Sequence, residues 1–490
     1  MALPDAIERR TGPLARASGA IWRRSAPEVT ELFELMRIVP AAWLAGAAAL
    51  CAGVGITSGV SPKYGIAFAL ALAFTVSVFA DLTVGVTLFA VLSFLDVLQV
   101  GGAAVSFMKV AGLLLFLSWF ARASTQRRVA TGRLVAAHPA MVACLVGYVG
   151  WSALSAAWAY SPHDALTTSY RYGLDFLLVP IVFSAVRDRE QAKAVIAGFI
   201  IGAVGSGAYG ILHPTPVTAL QQGRLTGALG EANQQATVLV AAIALSVGML
   251  GAIKRSPGLK LAALLAAAIA FVSLVDTESR AGLLSFGCVL LAGVAFGGRW
   301  RRKAAVLVVL GALAVAGYFV AIASTSALDR VTSSDTSGRS SLWTVAWRVV
   351  QAHPLVGVGA GNFPDVSAQY LQTPGLITAA IYIVDIPKDV HNIYLEQLVD
   401  TGIPGLLFLL GIFIATITAA LKAAHIFERI GDRDMELLSR CLILAMVAFM
   451  TADFFASELV EKYLWIVIAL CPAMLNLARL QARELSGRQR

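Results

Sequence analysis

GRSSLWTVAWRVVQAHPLVGVGAGNF (338–363) and DVHNIYLEQLVDTGIPG (389–405) form the centre of the one long polar interval in an otherwise apolar chain. The interval runs from about Ser324 to Asp400. Loops of that length in a compact architecture are functional or disordered, and the regular recurrence of Trp, Phe, Tyr and Leu argues for order. The surroundings decide the class. Hydrophobic residues make up 58% of the chain and charged residues 14%, with a mean hydropathy of +0.76. A soluble domain carries about a quarter charged residues. The expected fold is therefore an all-α polytopic membrane protein. The five cysteines all fall in apolar stretches without ligand or disulfide spacing, and read as small buried hydrophobes.

With roughly 20 apolar residues per crossing, about fourteen spans are predicted. They lie near 38–59, 64–80, 82–100, 103–121, 138–158, 168–186, 191–212, 234–252, 260–275, 279–297, 303–323, 401–421, 437–457 and 461–477. The tight pairs 64–80/82–100 and 260–275/279–297 can each be a broken or re-entrant segment, so the range is twelve to fourteen. Five regions follow. A polar, basic segment 1–37, without a cleavable signal, is expected in the cytoplasm. A transmembrane bundle of about eleven spans covers 38–323. A periplasmic catalytic loop domain covers 324–400, about three further spans cover 401–477, and 478–490 is a cytoplasmic tail.

Charge placement tests this topology. Of the 38 Lys and Arg, 28 fall in the alternate connections that include both termini, among them Arg127-Arg128, Lys254-Arg255 and Arg299/Arg301/Arg302/Lys303. The positive-inside rule then puts both termini in the cytoplasm. The net charge of +9 is thereby explained as orientation and contact with anionic membrane lipid, and no nucleic-acid partner is implied.

The basic residues left on the outer side become informative, because ionisable groups near the membrane surface are functional candidates. Lys109 with Asp96, and Arg171 with Asp175 at i,i+4, can pair; both pairs read equally as structural ion pairs. The loop HPTPVTALQQGRLTGALGEANQQ (213–235) places Arg224 and Asn233 among glycines, where amides and side chains can surround an anion or simply meet solvent. Arg280 stands at a span mouth, where snorkelling is the alternative. Leu342, Val345, Ala346, Val349 and Val350 mark an amphipathic helix that Arg339 opens and Pro354 stops, expected to lie on the membrane. GVGAGNF (357–363) lacks the preceding strand and distant acid of a dinucleotide fingerprint. His391 is a lone histidine, either a hydrogen-bonding structural residue or a general base. No histidine or cysteine spacing supports a metal site.

Arg224, Arg280, Arg339 and His391 share the outer face in this topology. Guanidiniums match phosphate oxygens bidentately and can stabilise a departing pyrophosphate, while a neutral imidazole takes a proton from an attacking hydroxyl. That chemistry is glycosyl transfer from a lipid pyrophosphate to an alcohol.

In their order, RLTGALGEAN (224–233), SRAG (279–282), GRSSLW (338–343), HPLVGVGAGNF (353–363) and HNIYLEQLVDTGIPG (391–405) resemble the bacterial O-antigen ligase and O-antigen polymerase superfamily. The resemblance covers roughly residues 220–425. It implies a bundle of about twelve spans with a helical periplasmic domain, in the bacterial inner membrane. It also implies a donor glycan on undecaprenyl pyrophosphate, transferred with inversion and without metal or other cofactor. The acceptor is a saccharide or lipid A core, and it separates ligase from polymerase. By position, Arg280 and Arg339 would clamp pyrophosphate and His391 would be the base, with Arg224, Asn233, Arg171, Asn392, Tyr394 and Glu396 as substrate-binding or supporting residues. The Arg-x10-Gly pattern of some polymerases is absent, since Gln235 and Val350 occupy those positions. A transporter or flippase of lipid-linked saccharide is the alternative, but no internal repeat or set of midplane charges supports it. The first outer loop, Ser61-Pro62-Lys63, also lacks the carboxylate pair of a metal-dependent membrane glycosyltransferase.

Overall fold

The structure, a computed structural model, describes residues 62–94, 107–125, 130–214, 223–254, 256–321, 338–371 and 380–488, with a few isolated positions besides. The predicted span 38–59, the segment 1–37, Asp96 and the start of the central loop lie outside them. Contacts divide the chain into Met1–Ala73 and Phe74–Arg490; the first helix begins in the first unit, and every later element lies in the second. Helices account for the regular structure: α1 (Pro62–Ala80), α2 (Leu82–Leu92), α3 (Phe107–Thr125), α4 (Ala130–Ala137), α5 (Pro139–Leu154), α6 (Pro162–Ala185), α7 (Arg189–Leu212), α8 (Ala232–Ala252), α9 (Pro257–Asp276), α10 (Arg280–Phe296) and α11 (Arg301–Ala321). After them come α12 (Arg339–Ala352), the short α13 (Phe363–Ser367) and α14 (Ile381–Val384), then α15 (Ile393–Arg429), α16 (Arg433–Ala452) and α17 (Lys462–Arg488).

Every apolar run from 64 onward coincides with a helix. Seven helices among the described residues are long and apolar enough to cross a membrane, and an eighth span results if the bent pair α10–α11 counts as one. Of the rest, α2 has only 11 residues, and α6 carries Asp164, Arg171 and Asp175 along its length. The tight pair expected at 260–275/279–297 is two helices. The sharp bend, 113°, falls instead between α10 and α11.

Burial sorts the bundle into an inner and an outer layer. The apolar windows of α17, α8 and α16 are 83%, 72% and 72% buried, whereas those of α9 and α5 are 22% and 28% buried. A helix that is apolar all round sits in a core or in lipid; here both cases occur. The inner face of α17, from Tyr463 through Leu470, is fully enclosed. Leu259, Leu261, Leu264 and Leu265 of α9 and Val306, Val309, Leu310 and Leu313 of α11 point outward, an apolar surface that only bilayer would cover.

The α10–α11 bend is fixed by charge. Arg440 of α16 donates to the Phe296 carbonyl at 2.6 Å and pairs with Glu436 at 3.0 Å and Glu428 at 2.9 Å. Arg299 completes the group, reaching Glu436 at 2.9 Å and Glu428 at 3.4 Å. Glu436 is wholly enclosed. Removing one member of a buried ion cluster leaves its partners uncompensated, at about 3–5 kcal/mol. Glu436→Ala is therefore expected to lower the thermal unfolding midpoint in detergent sharply, whereas Glu190→Ala, whose pair with Lys193 is exposed, leaves it nearly unchanged.

Candidate functional site

The beginnings of α8, α10, α12 and α15, with the loop before α8, supply most of the predicted residues, and Arg171 lies on α6. α8 is capped by Glu231, whose Oε2 accepts from the Gln234 amide at 2.7 Å. α10 is capped by Ser279, whose Oγ accepts from the Gly282 amide at 3.1 Å. Asn392 caps α15 by accepting from the Tyr394 and Leu395 amides at 3.1 and 3.0 Å. α12 starts after Gly338, a left-handed residue with no side-chain cap. Helix N-termini carry partial positive charge and attract anions.

Across these ends runs a polar network. Arg224 donates from Nε to the Thr277 carbonyl at 2.8 Å and from Nη2 to Asn233 Oδ1 at 3.1 Å. Ser279 Oγ donates to the same Asn233 oxygen at 2.9 Å, and Asn233 Nδ2 donates to Glu231 Oε1 at 3.0 Å. The loop 223–231 has the irregular backbone expected of it, with positive φ at Gly223, Gly227 and Gly230. Arg280 follows Ser279 directly. Arg339 lies within electrostatic reach of Glu231 and Arg280: burial pulls its guanidinium below the usual range, Glu231 opposes this, and Arg280 adds to it.

His391 adjoins the same charges. Burial, then Arg339 and Lys388, depress its imidazole to about 4, so the ring is neutral at pH 7. Among the described residues no side chain or carbonyl hydrogen-bonds the ring. His391 and Glu278 are the two non-glycine residues of positive φ in the described chain, at 54° and 49°. One is the proposed base, and the other stands two residues before Arg280. Left-handed backbone costs a non-glycine residue about 1–2 kcal/mol and is often held in place at functional sites. Here Trp343 holds it: its Nε1 donates to the Val390 carbonyl at 3.1 Å, and its ring packs on Phe454 and Phe455.

The loop segment has its own apolar core. Leu342, Val345, Ala346, Val349 and Val350 are the buried face of α12, as their spacing predicts, and Pro354 follows the helix end. The expectation that this face lies on the membrane is corrected. It packs on Val358, Phe363, Val366, Ile383, Val390 and Val399, so protein occupies the surface a membrane would have covered. GVGAGNF is a structural wedge. Val358 and Gly359 donate to the carbonyls of Val399 and Asp400 at 2.9 and 2.8 Å, and Gly361 donates to the Asp400 carboxylate at 2.7 Å. Gly357 has φ +68, and a Cβ there would meet the Asp400 carbonyl oxygen at 2.4 Å. Opposite it α15 breaks at Gly402, where φ is 67° and ψ is −164°.

Other predicted residues have different surroundings. Tyr394 donates to the Met450 carbonyl at 2.7 Å, and Glu396 accepts from Ser457. With the Asn392 cap, these contacts fasten the start of α15 to the α16–α17 connection, a positioning arrangement rather than a row of groups facing the arginines. Arg171 is exposed on α6 and acts electrostatically on Asp389, two residues before His391. The expected Arg171–Asp175 ion pair does not form among the described residues; Lys462 acts on Asp175 more strongly than Arg171 does. Glu231, Asp389 and Asp453 were not singled out as site residues by sequence reasoning. Burial raises the Asp389 and Asp453 carboxyls, and both Asp453 oxygens are enclosed without a hydrogen-bond partner. No local pattern marks an acid that matters only through long-range packing.

Residues 263–410 match the family Wzy_C, O-antigen ligase. This stretch is therefore similar to the O-antigen ligase family. The match takes in Arg280, Arg339 and His391, and leaves Arg224, Asn233 and Arg171 outside. It supports a glycosyltransferase-like function of ligase or polymerase type in a multi-pass helical membrane protein. No curated protein matches the chain.

The network makes one immediate claim about stability. Asn233→Ala strands two donors, from Arg224 and Ser279, at about 1–3 kcal/mol. The thermal midpoint should fall, and Asn233→Asp, which keeps the acceptor oxygen but sets a second carboxylate against Glu231, should recover only part of the loss.

Proposed function

We propose that this O-antigen ligase domain transfers a glycan from undecaprenyl pyrophosphate to an acceptor hydroxyl on the periplasmic face of the bacterial inner membrane. The observation that carries the reading is the meeting of Arg280, Arg339 and His391 in one electrostatic neighbourhood, beside Arg224 and Asn233. Arg280 and Arg339 clamp the pyrophosphate, with Arg224 and Asn233 supporting the loop around it. His391 accepts the proton of the acceptor hydroxyl as that oxygen attacks the anomeric carbon from the face opposite the leaving group. The bond from the anomeric carbon to the phosphate oxygen breaks with inversion, and polyprenyl pyrophosphate departs with the charge that the guanidiniums stabilise. No step needs a covalent enzyme intermediate.

An imidazole held near 4 is a weak base, and the substrate corrects this. A pyrophosphate seated between the arginines and His391 replaces net positive surroundings with negative charge, which raises the ring toward neutrality, where general bases work best.

Purified full-length protein incubated with a polyprenyl-pyrophosphate glycan, with and without lipid A core, tests the reading. A glycan ladder without core identifies a polymerase, and a single addition to core identifies a ligase. Arg280→Lys and Arg339→Lys should each lose about a hundredfold or more in turnover, because a point charge cannot reproduce the fork. Full activity in both variants removes the clamp. The pH profile gives a second check. Rate should fall as pH drops through the base's pKa, with the acid limb of kcat/KM near 4 and that of kcat higher. Coincident limbs would mean that bound donor does not tune His391.

A further inference from the structure

The end of the bundle away from the arginine site carries a second cationic feature. A cleft of about 350 Å³ opens between the last turns of α15 and the C-terminal half of α17, lined by Lys422, His425, Ile426, Arg429, Leu475 and Arg479. Lys422, His425 and Arg429 are spaced three and four residues apart, which puts them on one face of α15. Arg479 faces them from α17, where it also donates to the Ala137 carbonyl at 3.3 Å. Among the described residues, no acid lines the cleft. Glu428, the nearby carboxylate of α15, is committed to Arg299 and Arg440. Beside the cleft, Lys422 and Arg479 act electrostatically on His138, whose Nε2 is buried without a partner.

Cations at a helix C-terminus complement its dipole, and basic residues at this end also orient a membrane protein. Neither effect requires them to line a concavity. Like charges near one another repel, so Lys422, Arg429 and Arg479 around a cleft with no acid among its described lining residues leave a deficit of negative charge. Ile426 and Leu475 give the cleft an apolar floor. A charged rim over an apolar floor, between two helices that cross the membrane, fits an amphiphile.

We propose that this cleft binds an anionic phospholipid, its phosphate held by Lys422, Arg429 and Arg479 and its glycerol and upper acyl chain laid on Ile426 and Leu475. Inorganic phosphate shares the headgroup chemistry but leaves the floor uncovered. The site is independent of the transfer reaction at the other end of the bundle.

Native mass spectrometry of the purified full chain, titrated with phosphatidylglycerol, phosphatidylcholine or inorganic phosphate, tests this. Phosphatidylglycerol should be retained, phosphatidylcholine should not, and inorganic phosphate should not compete. Lys422→Gln/Arg429→Gln should weaken retention about thirtyfold, since each basic group near an anionic headgroup contributes roughly a fivefold factor. Arg301→Gln/Arg302→Gln removes the same charge from the neighbouring bend and should leave retention unchanged. Equal loss in both double variants would overturn the site in favour of diffuse surface attraction. Effective competition by phosphate would replace a lipid site with an anion site. If the first double variant fails to fold, the wild-type comparison decides alone, and equal retention of the two lipids sinks the proposal.

Discussion

Two guanidiniums, Arg280 and Arg339, are held within electrostatic reach of one another, with the Glu231 carboxylate acting on Arg339. Like charges in a partly buried setting repel more strongly than they do in water, and Arg339 feels that repulsion on top of the cost of burial. The Glu231 carboxylate lessens it at Arg339. The beginnings of α8, α10, α12 and α15 add backbone dipoles of the same sign at this end.

Such a cluster persists only in a stiff frame, and the frame uses the same residues as the site. Ser279 both caps α10 and shares the Asn233 acceptor with Arg224. Trp343 belongs to α12, the helix that Arg339 opens, and fixes the carbonyl of Val390 next to His391. The placement of Arg339 relative to His391 is thus set by one helix and one indole.

Much of this was legible in local pattern. The buried face of α12 was readable residue by residue, because 3.6-residue periodicity records burial directly. Arg280 at a span mouth and His391 ahead of a helix followed from hydropathy alone. The partners were not legible. Nothing near Glu231 announces that it acts on Arg339, more than a hundred residues away. Nothing in GVGAGNF names its neighbours at Val399 and Asp400. The amphipathic face was found correctly but given to the membrane, since a period says that a surface is covered and not by what. The left-handed backbone at His391 has no sequence mark, because histidine ordinarily avoids it.

The wedge at Gly357 and the break at Gly402 bear on how material comes and goes. The amides that would let the loop segment swing are spent on α15, the helix whose first turn follows His391. Among the described residues, this part of the loop segment and the backbone that carries His391 are therefore tied to the same helix. Under the proposed reading, a donor moored in the bilayer by its own tail would approach a segment braced against a membrane helix.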